Sequence, residues 1–491
     1  MKIFTIAATY MLATATALSQ PAYQEQFRPK IHFSTKKGWM NDPNGMVYNQ
    51  GAYHLFFQYY PDSTVWGPMH WGHATSADMV HWKEGPVALY PDSIGYIFSG
   101  SAVVDKDNTS GFGRDGVAPL VAIYTQHDIV GERMGSDTFQ TQSIAYSLDN
   151  GKTFTKYSGN PVLKNPGIMD FRDPKFFWHG ASQKWVMVLA VLDHVEIYSS
   201  PNLKQWDKES EFGKGMGAHG GVWECPDLFS LQDGKKMVWV MLVSNNPGGP
   251  NGGSGTQYFT GNFDGKSFSP YDTTTKWLDY GPDNYAGVTF SNTGNRKLLL
   301  GWMSNWDYAQ VVPATTWRSA NTLPRELGLK KVHGKYYLSS NLVKELNSLT
   351  SAAESTQSHT RNIQSPCIIK FDIKGPGNFE CIFSNDLQEQ LVVGFDASTS
   401  RFYIDRGKAG SIEFSKQFTA RPFAPRISQD KHYSATIVID HSSIELFADN
   451  GLTTMTSVAF PSQPYNQFEL KSGGKKKAPN VTYCKLKSIH D

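Results

Sequence analysis

Apolar residues recur along this chain in short alternating runs, and helical periodicity is scarce. Between Gly51 and Trp306, the runs Tyr53 to Tyr60, Leu120 to Gln126, Trp185 to Leu192 and Met237 to Ser244 have the length and the β-branched and aromatic content of strands. Clusters of Gly, Pro, Asn and Asp separate them, as tight turns require. The pattern predicts an all-β fold. Four times an apolar run ends in a small residue, a polar turn and then an aromatic: Ser76 to Trp82, Ser147 to Phe154, Ser200 to Trp206 and Gly261 to Phe268. The copies start 71, 53 and 61 residues apart. A repeat of this length in an all-β chain marks a propeller blade, a small antiparallel sheet. At about 60 residues per repeat, the stretch 24–340 accommodates roughly five blades. A sandwich built from unrelated hairpins is the competing architecture.

The pattern changes near residue 340. A Ser-, Leu-, Glu- and Asn-rich stretch, 341–360, reads as a linker or a short helix. Alternation then returns at Cys367 to Ile373, Gln390 to Phe395, Arg401 to Asp405, Tyr433 to Asp440 and Ser443 to Phe447, with a strong turn signal at Asn450-Gly451. Seven or so strands within 361–491 predict a β-sandwich. At the other end, residues 1–19 read as a signal peptide: Lys2, a largely apolar Ile3 to Ala17, and small residues at Ala17 and Ser19. The apolar run is short for a membrane span, and none elsewhere reaches the length of one. A secreted protein, extracellular or periplasmic, is expected.

Charge and composition narrow the classes of partner. A net charge of +2 gives no reason to expect nucleic acid or a membrane surface, and Lys475 to Lys477 reads as a solvated loop. Aromatics make up 13% of the residues, which suits a ligand with apolar C–H faces, such as a sugar, although most of them must be core. Four cysteines are too few for a disulfide scaffold. Cys367 and Cys381 are close enough for a hairpin-linked pair, or both are free; Cys225 reads as a buried thiol. No spacing resembles a zinc site, His70 and His73 read as structural, and no metal or cofactor is expected. Asn108 and Asn480 head glycosylation tripeptides. A homo-oligomer is left open.

Three acidic motifs stand out: Trp39-Met-Asn-Asp-Pro-Asn-Gly45, Phe171-Arg-Asp-Pro174 and Trp223-Glu-Cys-Pro226. The first is ideal turn chemistry that also presents Asp42 rigidly. The second reads equally as a surface ion pair of Arg172 and Asp173. In the third, Glu224 between Trp223 and Cys225 has apolar neighbours, a setting that favours the protonated acid if buried. One ionised and one protonated carboxyl are what glycoside hydrolysis needs, and a propeller brings distant positions together on its axis.

The chain resembles glycoside hydrolase family 32, the invertases, inulinases and levanases. The resemblance rests on those three motifs with Phe57-Gln-Tyr-Tyr-Pro61, Trp71-Gly-His-Ala74 and Phe98-Ser-Gly-Ser-Ala-Val103, in the family's order over about residues 28–320. It implies a five-bladed β-propeller followed by a β-sandwich, and retaining release of β-D-fructose from sucrose or fructans. It further implies Asp42 as nucleophile, Glu224 as general acid/base and Asp173 as the residue that holds fructose hydroxyls. Asn41, Gln58, Trp66, Ser99 and Arg172 match fructose-binding positions, Trp39 and Phe98 match apolar walls, and Trp302 is aligned as closing the pocket. Fructosyl transfer, endo action on fructans, arabinan hydrolysis and a non-catalytic fructan-binding protein are the alternatives. The intact motifs argue against the last two. The Pro of Glu-Cys-Pro and the Gly-rich loop Asn245 to Thr256 favour exo action.

Overall fold

The computed structural model describes residues 23–375, 377–419, 421–472 and 480–490. The segment expected to be a signal peptide and the Lys475 to Lys477 run lie outside them. The N-terminal part folds into five successive antiparallel sheets, whose first strands are Gly38–Asn49, Tyr96–Val104, Phe171–His179, Val222–Asp233 and Tyr285–Thr289. Each first strand packs against the next, and the fifth packs against the first, so the five form a closed ring. The ring is latched by a late strand, Trp317–Arg318, which pairs in parallel with Gly38 and Trp39 of the first sheet.

Hydrophobic clusters fill the spaces between neighbouring sheets. Val47, Phe56 and Trp71 of the first meet Tyr124 and Ala145 of the second, for example, and equivalent clusters follow around the ring. The four sequence repeats are the connections between third and fourth strands of sheets one to four. In three of them a serine closes the turn: Ser76 Oγ accepts from Asp78 N, Ser147 Oγ from Gly151 N and Ser200 Oγ from Leu203 N. In the fourth, Asp264 does so, accepting from the Lys266 and Ser267 amides. The aromatic that follows, Trp82, Phe154, Trp206 or Phe268, packs into the cluster shared with the preceding sheet. The fifth sheet has no copy because its last two strands are joined by the tight turn His333–Gly334, both at positive φ.

Two six-stranded antiparallel sheets form the C-terminal sandwich. The expected linker holds a short 3-10 helix, Lys344–Leu349, but the sandwich begins within it, because Glu354–Thr356 already pairs with Val481–Thr482-Tyr483. Cys367 and Cys381 are not bridged, and all four cysteines are free. The two strands are not a hairpin: one pairs with His432–Ile439, the other with Gln390–Asp396 in the opposite sheet. His70 and His73 are structural: His73 stacks on Phe56 at 4.3 Å, and His70 Nδ1 bonds the Pro68 carbonyl.

The domains share buried charge. Arg325 of the propeller, fully buried, donates to Asp279 at 2.8 Å and to Glu445 of the sandwich at 2.6 Å. His32 bridges Asp440 and Glu445, both at 2.8 Å, and Arg406 of the sandwich reaches Asp283 at 2.8 Å. Losing one partner of such a network costs about 3–5 kcal/mol, because a buried charge is left without compensation.

Candidate active site

All five first strands carry the same irregularity near their beginnings. In each, two residues oppose a single residue of the second strand, a β-bulge: Asn41–Asp42 opposite Gln58, Phe98–Ser99 opposite Thr125, Asp173–Pro174 opposite Leu189, Cys225–Pro226 opposite Val243, and Ala286–Gly287 opposite Gly301. A bulge interrupts the in–out alternation and re-aims a side chain. Five at one level of a ring aim five segments at its axis. Asp173, Cys225 and Ala286 adopt positive φ there. Their amides leave the sheet ladder and find other acceptors: Asp173 N donates to Thr125 Oγ1 at 2.9 Å, Cys225 N to Asp173 Oδ2 at 3.1 Å and Ala286 N to Ser244 Oγ at 3.1 Å.

The bulges collect three carboxylates, from sheets one, three and four. Asp42 Oδ2 accepts from Ser99 Oγ at 2.7 Å and from the Cys225 thiol at 3.5 Å, while Oδ1 accepts from Asn41 Nδ2 at 3.1 Å. The same thiol lies 3.6 Å from Asp173 Oδ2. Burial pushes Asp42 up to about 6, the charge of Glu224 adds to this, and the bonds from Ser99, Asn41 and Cys225 pull the other way. Burial likewise pushes Asp173 up to about 7; Arg172 opposes that, and Glu224 and Asp42 reinforce it. Burial and the surrounding carboxylates hold the Cys225 thiol well above its ordinary range, so it stays a protonated donor.

Glu224 sits otherwise than its sequence neighbours suggest. Trp223 is fully buried in the cluster between sheets three and four, and Cys225 faces the other carboxylates. Successive side chains of a strand point to opposite faces, so apolar neighbours in sequence do not make an apolar setting. Glu224 Oε1 accepts from Arg172 at 3.1 Å, and Oε2 accepts from the Tyr285 hydroxyl. The side chain remains 21% exposed, open to the cavity.

That cavity, about 300 Å³, is lined by Trp66, Phe98, Asp170, Arg172, Glu224 and Trp306 among others. Phe98 stacks on His127 with centroids 4.2 Å apart, and Trp66 meets it edge-on. Arg172 lines the cavity, but its guanidinium is committed to Glu224 and, through Nη1, to Asp170. Asn41 is held by Trp39 Nε1 at 2.8 Å, and Gln58 Nε2 donates to Asn44 Oδ1 and to the Ile97 carbonyl. Trp39 and Trp302 are both fully buried, so Trp39 is a support beneath the site rather than an open wall, and Trp302 does not close the pocket. Trp306, whose ring lies 4.9 Å from that of Trp302, stands at the mouth instead. The Gly-rich loop abuts it: Trp306 N donates to Ser254 Oγ at 3.2 Å, and Asn251 ties the loop to the Phe423 backbone of the sandwich. Sequence reasoning missed Tyr285, Asp170 and Trp306. Only Asp170 and Trp306 had a signal, each a few residues from a motif.

Comparison with known proteins decides the lineage. The model of the glycosyl hydrolases family 32 N-terminal domain matches residues 32–340, and that of the family 32 C terminal matches residues 338–487. The chain belongs to glycosyl hydrolase family 32. A levanase of Bacillus subtilis is 45% identical over an alignment spanning all of this chain and 74% of that one. An extracellular exo-inulinase of Aspergillus niger is 40% identical, over 92% of this chain and 93% of that one. The crystal structure of the exo-inulinase from Aspergillus awamori superposes with a TM-score of 0.89 at 37% identity, covering 95% of this chain and 99% of that one. Propeller, sandwich and their order are those of the family 32 neighbours. Among the described residues no helix is long and apolar enough to cross a membrane.

Proposed function

We propose that this family 32 glycosidase is an exo-acting β-fructofuranosidase that releases terminal fructose from fructans and sucrose. The observation that carries the reading is the convergence of Asp42, Asp173 and Glu224 from three sheets: one Cys225 thiol reaches both aspartates, and Glu224, the residue before it, lines the cavity. Asp42 attacks the anomeric carbon of the fructosyl unit. As the bond from that carbon to the leaving oxygen breaks, Glu224 gives that oxygen its proton, and a covalent fructosyl ester remains on Asp42. Water then adds to the same carbon, Glu224 takes the proton back, and the Asp42 carboxylate leaves. Asp173 holds fructose hydroxyls, with Asn41, Gln58 and Ser99 around the ring. Trp66, Phe98 and Trp306 supply apolar faces for the sugar at the mouth.

The levanase and exo-inulinase relatives support a fructan substrate, and the relatives named extracellular support export of this chain. Sucrose, inulin and levan, offered separately to the purified protein with products followed over time, test the reading. Free fructose from the first minutes is expected. Intermediate oligosaccharides shorter than the polymer would replace exo with endo action, and products longer than sucrose would mean transfer. Glu224→Ala should lose natural substrates and keep first-step reactivity with an activated leaving group, whereas Asp42→Ala should lose both. Full sucrose turnover by Asp42→Ala would overturn the nucleophile assignment.

A further inference from the structure

The first strands begin at the catalytic cavity and run on to a second one. Four residues beyond Ser99 and Asp173, roughly 13 Å along a strand, Val103 and Phe177 line a cavity of about 390 Å³ at the opposite end of the ring. Lys175, Asp227 and Lys297 lie in its wall, with the half-buried Trp178 and Trp239 beside them.

The polar groups there are incompletely matched. Lys175 Nζ is spent on the Thr289 carbonyl and on Asp227, 3.4 Å away. Asp227 Oδ2 accepts from Thr289 N at 2.6 Å and Thr289 Oγ1 at 2.7 Å, but its buried Oδ1 has no partner among the described residues. Lys297 is mostly buried, and burial depresses its ammonium, with the charge of Asp227 opposing and that of Lys175 reinforcing the shift. A buried acceptor without a donor costs about 1–3 kcal/mol, so the wall favours a molecule that supplies one.

The class of that molecule follows by elimination. A small anion would suit Lys297 but meet the Asp227 carboxylate. A metal cation would meet two ammonium groups. A hydroxyl both donates and accepts, so neighbouring hydroxyls on one molecule satisfy Asp227 and Lys297 together. The indoles offer apolar faces of the kind that pack against the C–H face of a sugar ring. The volume is in the range of small-molecule sites.

We propose that this second cavity binds a neutral saccharide of one or two rings, through hydroxyls at Asp227 and Lys297 and C–H faces at Trp178 and Trp239. It is a non-catalytic site, because none of the three carboxylates lines it.

Calorimetric titration of sucrose into the full chain carrying Glu224→Gln, which removes turnover, tests this. Two sites per chain are expected. Adding Lys297→Met, or separately Trp178→Ala, deletes one of them and keeps the other. A single site, or two sites that survive both substitutions in folded protein, overturns the proposal. Inorganic phosphate is titrated in parallel: phosphate that displaces sucrose from the Lys297-dependent site overturns the neutral class. In the otherwise native chain Lys297→Met should leave kcat/KM for sucrose within about twofold. A tenfold loss would make Lys297 part of the catalytic site and overturn the separation of the two cavities.

Discussion

Asp42 should weaken the fold it serves. A carboxyl held at about 6 instead of its ordinary 3.8 binds its proton more tightly in the folded chain than in the unfolded one. Folding stability is therefore unaffected by this group below about 4, falls as pH rises from 3.8 to 6, and stays reduced above that. At 1.36 kcal/mol per pH unit the full penalty is about 3 kcal/mol. Asp42 keeps partial contact with solvent, and Asn in its place loses one accepted hydrogen bond, so Asp42→Asn should gain about 2 kcal/mol at pH 7. For a chain of this length the unfolding entropy is roughly 1 kcal/mol per kelvin, which makes the gain about 2 °C in Tm. Differential scanning calorimetry of both proteins at pH 4, 5, 6 and 7 is the assay. The difference should be near zero at pH 4 and reach its full value by pH 7. A variant less stable than the parent at pH 7, or a gain independent of pH, would refute the argument that burial strains this carboxylate.

Three further outcomes follow from the same geometry. kcat/KM should fall as pH drops through about 6, where Asp42 takes up its proton, and Ser99→Ala, which removes a bond to the carboxylate, should move that limb upward by roughly half to one pH unit; initial rates from pH 4 to 8 check it. Tyr285→Phe leaves Glu224 Oε2 without its donor and should lower kcat on sucrose about tenfold to a hundredfold with little change in KM, which steady-state kinetics will show. Burial alone would depress His32, but hydrogen bonds to Asp440 and Glu445 outweigh it and raise it to about 9, so its contribution is complete below 6.5 and is lost as pH rises through 9. His32→Gln should therefore cost about 3–5 kcal/mol near pH 6 and less at pH 10, seen as converging melting temperatures.

Much of the architecture was legible because it is local. The four turn repeats are visible in sequence since each blade needs the same serine or aspartate to close a turn and the same aromatic to seal a gap. The fifth blade is invisible to that test because a two-residue turn replaces the motif. Asp42 and Asp173 stood out because each directly precedes a proline, and Glu224 because one lies two residues on; proline cannot continue a sheet ladder, and the bulges are where the ladder lapses. What those bulges do to side-chain direction could not be read. Alternation predicts that Arg172 and Asp173 point apart and that Glu224 points away from Trp223, against the apolar setting its sequence neighbours suggest; it is silent about Tyr285, which reaches Glu224 from 61 residues further along the chain. Cys367 and Cys381 look like a hairpin because only four residues separate their strands, yet those strands belong to opposite sheets of the sandwich. Trp302 and Trp306 differ by four positions and trade places between core and cavity mouth, a distinction only packing makes.

The latch strand has a consequence for how the chain is made. Gly38 and Trp39 wait for Trp317 and Arg318, and His32 waits for Asp440 and Glu445. At roughly 5–20 residues per second the ribosome delivers the latch some 15–50 s after the first blade, and the last anchor later still. For that interval the first blade has an open edge and an unfilled neighbour, which is the state most exposed to mispairing. A truncated or stalled nascent chain should thus be a chaperone client or a protease substrate up to the point where residue 318 emerges, however well its individual hairpins have formed.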